Sequence, residues 1–279
     1  MRKLASLTGL AVVLALAGCG TTAAPAAEDP LAAARALVPE DIRAAGKLTV
    51  GSDLMFEPME YVEGGEKKGF DVDLAAAVAD RLGLGLEFVQ TAWEDLRPQV
   101  ISGGVDMVMA SMTDTAKRQE EVDFVDYLNV GSSIVVRADL AAVTTLADLC
   151  GYRVAVQAES IYEELAGGQA ERCPAGRRMR LVVVPDSEAA VHAGKADAYL
   201  HDYPIAVVAA NKDPQLKVVG EQIEAAPYGI AVAKERAGLR TAVQSALFAL
   251  FRDGTYDELL KKWNITEGGL KTGAINGGA

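Results

Sequence analysis

The feature that most restricts the fold is an alternation of short apolar strands and amphipathic helices that runs through the chain twice. Leu48-Thr49-Val50-Gly51 reads as a buried strand. The helix after it, 70–82, sets Phe70, Leu74, Ala77, Val78 and Leu82 on one face before Gly83 ends it. Residues 86–89 make the next strand, 93–101 the next helix, closed by Gly103-Gly104, and 105–110 a third strand. A second series starts at Arg153, with strands over 153–157, 181–184, 196–200 and 217–219 and helices from residue 160, over 187–193 and over 203–210. This rhythm predicts mostly parallel, three-layer α/β sheets. Segments 131–136 and 228–233 are long enough to carry the chain between the two series and back. Helices over 239–251 and 255–263, split by Asp253-Gly254, complete the chain. Two α/β lobes joined by two crossing strands enclose a cleft, and ligands of such sheets bind beyond the carboxyl ends of the strands.

Chemistry collects at those ends. Asp53 and Phe56 follow the first strand, Trp93 the second, and Ser111, Thr113 and Arg118 the third. In the second series Gln157, Glu159 and Ser160 follow one strand and His201 and Asp202 another. The types suit a free amino acid. The planar fork of Arg118 matches an α-carboxylate, and Asp202 matches an α-ammonium. Thr113 and Ser160 add donors, and Phe56 and Trp93 flank a side chain. Each has a plainer reading: Arg118 as a surface arginine paired with Glu121 or Asp114, Asp202 as a cap on the helix from Tyr203, Phe56 and Trp93, taken singly, as core aromatics, His201 and His192 as structural histidines.

The net charge of -12 argues against nucleic acid, since no basic stripe is available for phosphates. At the N-terminus Arg2 and Lys3 precede an apolar stretch over 4–17, shorter than the ~20 residues of a membrane-spanning helix. Leu16-Ala17-Gly18-Cys19 resembles the lipobox of bacterial lipoproteins, which implies lipidation of Cys19 and removal of residues 1–18. Loss of Arg2 and Lys3 takes the formal charge from -12 to -14. Residues 19–46 are then anchor and tether, 47–130 with 229–279 the first lobe, 137–224 the second, and 131–136 and 225–228 the hinge. Cys150 and Cys173 flank a strand running out and a helix running back, so a disulfide is expected, with two buried thiols as the alternative. Two histidines and no Cys-x-x-Cys spacing leave no metal site to expect, and no cofactor motif is present.

Over residues 48–263 the chain resembles the bacterial extracellular solute-binding proteins, family 3, of polar amino-acid ABC transporters. The resemblance is carried by Gly69-Phe70-Asp71-Val72-Asp73-Leu74, by Gly104-Val105-Asp106-Met107-Val108 and by Thr115-Ala116-Lys117-Arg118-Gln119. It continues in Ala196-Asp197-Ala198-Tyr199-Leu200-His201-Asp202 and in Asp253-Gly254-Thr255-Tyr256 with Lys262-Trp263. It implies a periplasmic-binding-protein-like fold of type II, two α/β lobes joined by two hinge strands. The implied protein is a monomeric lipoprotein on the extracellular face of the membrane, capturing a polar amino acid for an ABC permease. Arg118 then holds the ligand carboxylate and Asp202 its ammonium, with Asp53 aiding, while Phe56 and Trp93 flank the side chain and Ser111, Thr113, Gln157, Ser160 and His201 complete the set. The His-Asp pair looks like the glutamine-type arrangement, and Cys150 and Cys173 are placed like those of actinobacterial members.

Glu159 departs from the family pattern, standing where a small residue is common. It is read as facing a cationic ligand side chain or as capping the next helix. Asp71 and Glu57 are placed near the cleft mouth, where they would suit a basic ligand, but an aspartate in a Gly-Phe-Asp stretch is too common to decide it. Two other readings share the sequence: a dehydratase on the same fold, resembling the periplasmic cyclohexadienyl dehydratases, with Glu159 or His201 as acid, and a ligand-sensing partner of a membrane receptor.

Overall fold

The computed structural model describes residues 31–279 apart from Ala141. Cys19, the leader and the tether up to residue 30 lie outside the described residues. None of the helices described is long and apolar enough to cross a membrane.

In chain order the chain forms α1 (Ala32–Leu37), α2 (Glu40–Ala45), β1 (Lys47–Ser52), a small antiparallel sheet of β2 (Met55–Phe56), β3 (Glu60–Glu63) and β4 (Glu66–Lys68), then α3 (Phe70–Leu82). β5 (Gly85–Gln90), α4 (Leu96–Ser102), β6 (Met107–Val108), α5 (Ala116–Gln119) and the long β7 (Val122–Arg137) follow. Next come β8 (Arg153–Val156), α6 (Ile161–Arg172), β9 (Arg180–Val183), α7 (Ser187–His192), β10 (Ala198–Asp202) and α8 (Tyr203–Lys212). β11 (Leu216–Ala233), α9 (Ala237–Asp253) and α10 (Thr255–Trp263) end the series.

The main sheet runs β5-β1-β6-β11-β7-β10-β8-β9. β1, β5 and β6 are parallel at one end, and β8, β9 and β10 at the other. Between them β7 and β11 pair antiparallel and pass through both halves, so the sheets are mixed rather than mostly parallel. Their register slips between Val219 and Ile223, between Ile223 and Ala226, and at Tyr228/Gly229.

Period-two burial explains the layers. In the first lobe Met107, Val125, Ile230 and Val232 face one core with α3 and α9, while Val108, Phe124 and Ala231 face another with α4. In the second lobe Val154, Val156, Ala198 and Leu200 face one core, and Ala155 and Tyr199 the opposite one. Gly69 opens α3 where only glycine fits: a Cβ there would stand 2.0 Å from the Met59 carbonyl oxygen.

One region differs from expectation. The tether expected over 19–46 ends earlier, because Leu31, Ala34, Val38 and Ile42 recur at helical spacing and are buried in the first lobe's core. The segment after α10 packs on the first lobe, as expected of residues 229–279. It runs beside the free edge of β7, bridging Leu128 to Gly269 and Val125 to Ile275, and Gly278 N–H bonds Asp114 Oδ2 at 2.9 Å. That strap covers an edge that would otherwise be open to pairing. Cys150 and Cys173 form a disulfide that ties the end of α6 to the segment before β8.

Candidate ligand-binding site

Strand ends and helix starts from both lobes meet at a small cavity of about 20 Å3, room for about one water. Nine of the ten candidate residues line it: Phe56, Trp93, Ser111, Thr113 and Arg118 from the first lobe, Gln157, Ser160, His201 and Asp202 from the second. Asp53 does not. It is buried beside the site, accepts a bond from Gln90 Nε2 at 3.1 Å, and is pushed up by its burial. On one side the cavity continues into a space of about 310 Å3 that shares Phe56, Gln157, Tyr162, His201 and Ile205 with it.

Arg118 is buried, not a surface arginine. It lies on α5, a single turn capped by Thr115. Its Nη1 donates to the Thr113 carbonyl at 2.9 Å, and Nη2 crosses the cleft to the Glu159 carbonyl at 3.0 Å. Its Cζ stands 5.3 Å from the centre of the Trp93 ring, a cation–π distance. It forms no ion pair among the described residues; Glu121 is taken by Arg97 and Asp114 by Gln119 and Gly278. Burial, with the charge of Arg97, lowers its pKa to about 10, and it stays a cation at neutral pH.

Asp202 closes β10 and is buried. It sits at the N-cap of α8 yet makes no side-chain cap bond. Its Oδ2 accepts the Tyr228 hydroxyl, while Oδ1 finds no donor among the described residues. Burial raises its carboxyl to about 6, against the pull of Tyr228, Tyr162 and Arg118. Its main-chain N–H bonds His201 Nδ1 at 2.9 Å, and the Tyr162 hydroxyl lies 3.3 Å from the same nitrogen. The His201 proton therefore sits on Nε2. Burial holds that ring neutral, with its pKa lowered to about 4. Phe56 stacks obliquely on it at 5.1 Å.

Ser160 caps α6: its Oγ accepts the Glu163 N–H and donates to the Gln157 carbonyl at 2.6 Å. Glu159 takes neither expected role. Ser160 is the cap, and the Glu159 carboxylate reaches back across the cleft to Arg97 at 2.9 Å, outside the cavity. Asp71 is likewise not at the mouth but fully buried, bonded by the Ser111 N–H at 2.8 Å and by Tyr127. Glu57 is at the rim and pairs with Lys212. Sequence reasoning did not single out Tyr162, Ile161 and Ile205, which line the cavity from the first turns of α6 and α8, or Tyr228, which holds Asp202. The first three carry the helix-start signal of Ser160 and Asp202; Tyr228 reads as an ordinary strand residue. His192 pairs with Glu188 and Asp213 at 3.4 Å on the surface of α7.

Two mixed lobes, two long shared strands and a cleft between strand ends define a type II solute-binding fold. Over residues 48–266 the chain matches the model of the bacterial extracellular solute-binding proteins, family 3, and it belongs to that family. It is 30% identical over 256 residues to the arginine-binding protein ArgT of Corynebacterium glutamicum, across 89% of this chain and 84% of that one. It is 29% identical over 280 residues to the ABC transporter glutamine-binding protein GlnH of Bacillus subtilis, across 94% of this chain and 97% of that one. Among solved structures, an ancestral arginine-binding protein bound to arginine superposes with a TM-score of 0.73 at 33% identity, covering 78% of this chain and 98% of that one.

Proposed function

We propose that the protein captures a polar amino acid by closing its lobes on it and delivers it to an ABC permease. The observation that carries this reading is a matched pair of unsatisfied charges. Among the described residues Arg118, from one lobe, is a buried cation without a carboxylate partner, and Asp202, from the other, is a buried acid with an open oxygen. A zwitterion satisfies both at once, its carboxylate on the Arg118 fork and its ammonium on Asp202 Oδ1. The Ser111 carbonyl, which no donor among the described residues takes, is a second acceptor for the ammonium. Phe56, Trp93, Gln157 and His201 then face the side chain, which extends toward the 310 Å3 space.

Only the closed arrangement completes both ends, so the ligand stabilises closure. The turning points are the places where the β7–β11 register slips, over 219–229 and the facing 126–134. Micromolar capture needs about -8 kcal/mol, and hydrogen bonds to charged groups contribute about 1.5–3 kcal/mol each.

The site is one for capture rather than chemistry. Of the two acids a dehydratase would use here, Glu159 lies outside the cavity against Arg97, and His201 is held neutral with Nδ1 occupied. The lipobox-like Leu16-Ala17-Gly18-Cys19 supports anchoring by lipid on the outer face of the membrane. A thermal-shift screen against the twenty amino acids, ornithine and citrulline tests the reading, since a ligand that binds only the folded state raises the melting temperature. At least one polar amino acid should do so at micromolar concentration; no shift with any of them overturns it.

A further inference from the structure

Behind the Ser111 wall of the cavity lies a buried acid pair that the capture mechanism does not use. Glu60 opens β3 and Asp71 sits in the first turn of α3, and both are 0% exposed. Asp71 accepts from two donors: the Tyr127 hydroxyl, shared between Oδ1 at 2.9 Å and Oδ2 at 2.8 Å, and the Ser111 N–H at 2.8 Å. Glu60 Oε2 lies 2.9 Å from Ser111 Oγ, while its Oε1 meets no donor among the described residues. Two adjacent carboxyls cut off from water do not both ionise. Burial raises both, and the charge of Asp71 raises Glu60 further. Asp71 is surrounded by donors and Glu60 Oε1 meets none, which places the proton on Glu60, from where it is donated to Asp71.

The pair grips Ser111 by both of its donors. Ser111 has φ of 51°, a left-handed conformation that a residue with a Cβ rarely adopts. With its N–H and hydroxyl drawn back into the lobe, its carbonyl is the polar group left at the cavity wall. We propose that Glu60 and Asp71 are positioning residues of the binding site, holding Ser111 in the left-handed conformation that turns its carbonyl toward the ligand's ammonium. The inference rests on the amino-acid reading above. It gives the acid of Gly69-Phe70-Asp71 a task in binding that a core role alone does not include.

A double-mutant cycle tests it, with full-length protein and calorimetric titration of whichever standard amino acid wild type binds tightest. Asp71→Asn should weaken binding about tenfold or more. In a Ser111→Gly background the same change should cost about threefold or less, because glycine takes the left-handed conformation without being held. Glu60→Gln, which keeps a donor for Asp71 and an acceptor for Ser111, should bind at least about fivefold tighter than Glu60→Leu. If Asp71→Asn does not fold, Glu60→Leu read in both backgrounds supplies the cycle. Losses equal within about twofold in the two backgrounds would mean that the pair serves the core alone, and overturn the inference while capture stands. Wild type that binds none of the amino acids overturns the capture reading, and this inference with it.

Discussion

Both lobes bring a left-handed, non-glycine residue to the cleft, and the two are held in opposite ways. Ser111 is fixed from inside its own lobe, by two buried carboxyls and through them by Tyr127. Glu159, with φ of 56°, takes one bond from its own lobe, the Glu163 carboxylate accepting its N–H at 2.8 Å. Its carbonyl and its carboxylate are held from the other lobe, by Arg118 at 3.0 Å and Arg97 at 2.9 Å. One wall of the site is therefore complete within its lobe, and the other is completed by contact. The difference teaches where recognition and closure reside: the first lobe offers a finished surface, and the second becomes one as the lobes meet.

Breaking the finished side should cost most. Arg118→Ala removes the carboxylate fork and one of the two cross-cleft grips on Glu159, and should weaken amino-acid binding about a hundredfold or more by calorimetry, while the circular dichroism spectrum stays that of the folded protein. Near-wild-type affinity would show that the carboxylate is held elsewhere.

On the second lobe, Asp202→Asn should weaken binding about tenfold to a hundredfold, and the variant also sharpens the comparison through pH. The ammonium needs an ionised Asp202, so wild-type affinity should fall as pH drops below about 6, and the variant should lose that dependence. Stability runs the other way. A carboxyl raised from 3.8 to about 6 holds its proton longer folded than unfolded, so its contribution is lost as pH rises through that window. Unliganded Asp202→Asn should thus gain on the order of 2–3 kcal/mol over wild type at pH 7 relative to pH 4. His201, lowered to about 4, titrates oppositely in the same window, so the effect is read as the difference between wild type and variant in melting temperature against pH. A wild-type-minus-variant difference that does not move in the variant's favour between pH 4 and pH 7 would contradict it.

The contacts made by closure should matter least. Arg97–Glu159 is a partly exposed pair and Lys117–Glu164 an exposed one across the cleft, and pairs open to solvent add little. Arg97→Ala should weaken binding about fivefold or less, with a smaller loss in high salt, where screening has already removed the pair. Smaller still for binding is the disulfide: Cys150→Ala with Cys173→Ala should leave affinity within about twofold yet destabilise the protein by ~3 kcal/mol in chemical denaturation, because a closed loop restrains the unfolded chain.

These features were unequally visible in the sequence. Strand-end positions such as Ser111, Gln157 and Asp202 could be placed because period-two and helical patterns mark where each strand stops. The supporting network could not. Glu60 reads as an ordinary acid, Asp71 as one more carboxylate in an amphipathic helix, and Tyr228 as a strand aromatic, because what sets their roles is burial against partners 26 to 56 residues away in sequence. Glu159 misled for the same reason: its partner, Arg97, is 62 residues distant and on the other lobe. Helix α1 was hidden by composition, as an alanine-rich stretch beside Pro30 reads like a tether until Leu31, Ala34, Val38 and Ile42 are counted as one face.

The most direct measurement is the structure of the protein with the amino acid that shifts its melting temperature furthest. The carboxylate should lie on the Arg118 guanidinium and the ammonium between Asp202 and the Ser111 carbonyl. A ligand bound with its ends exchanged, or seated away from Arg118, would contradict the two-walled clamp.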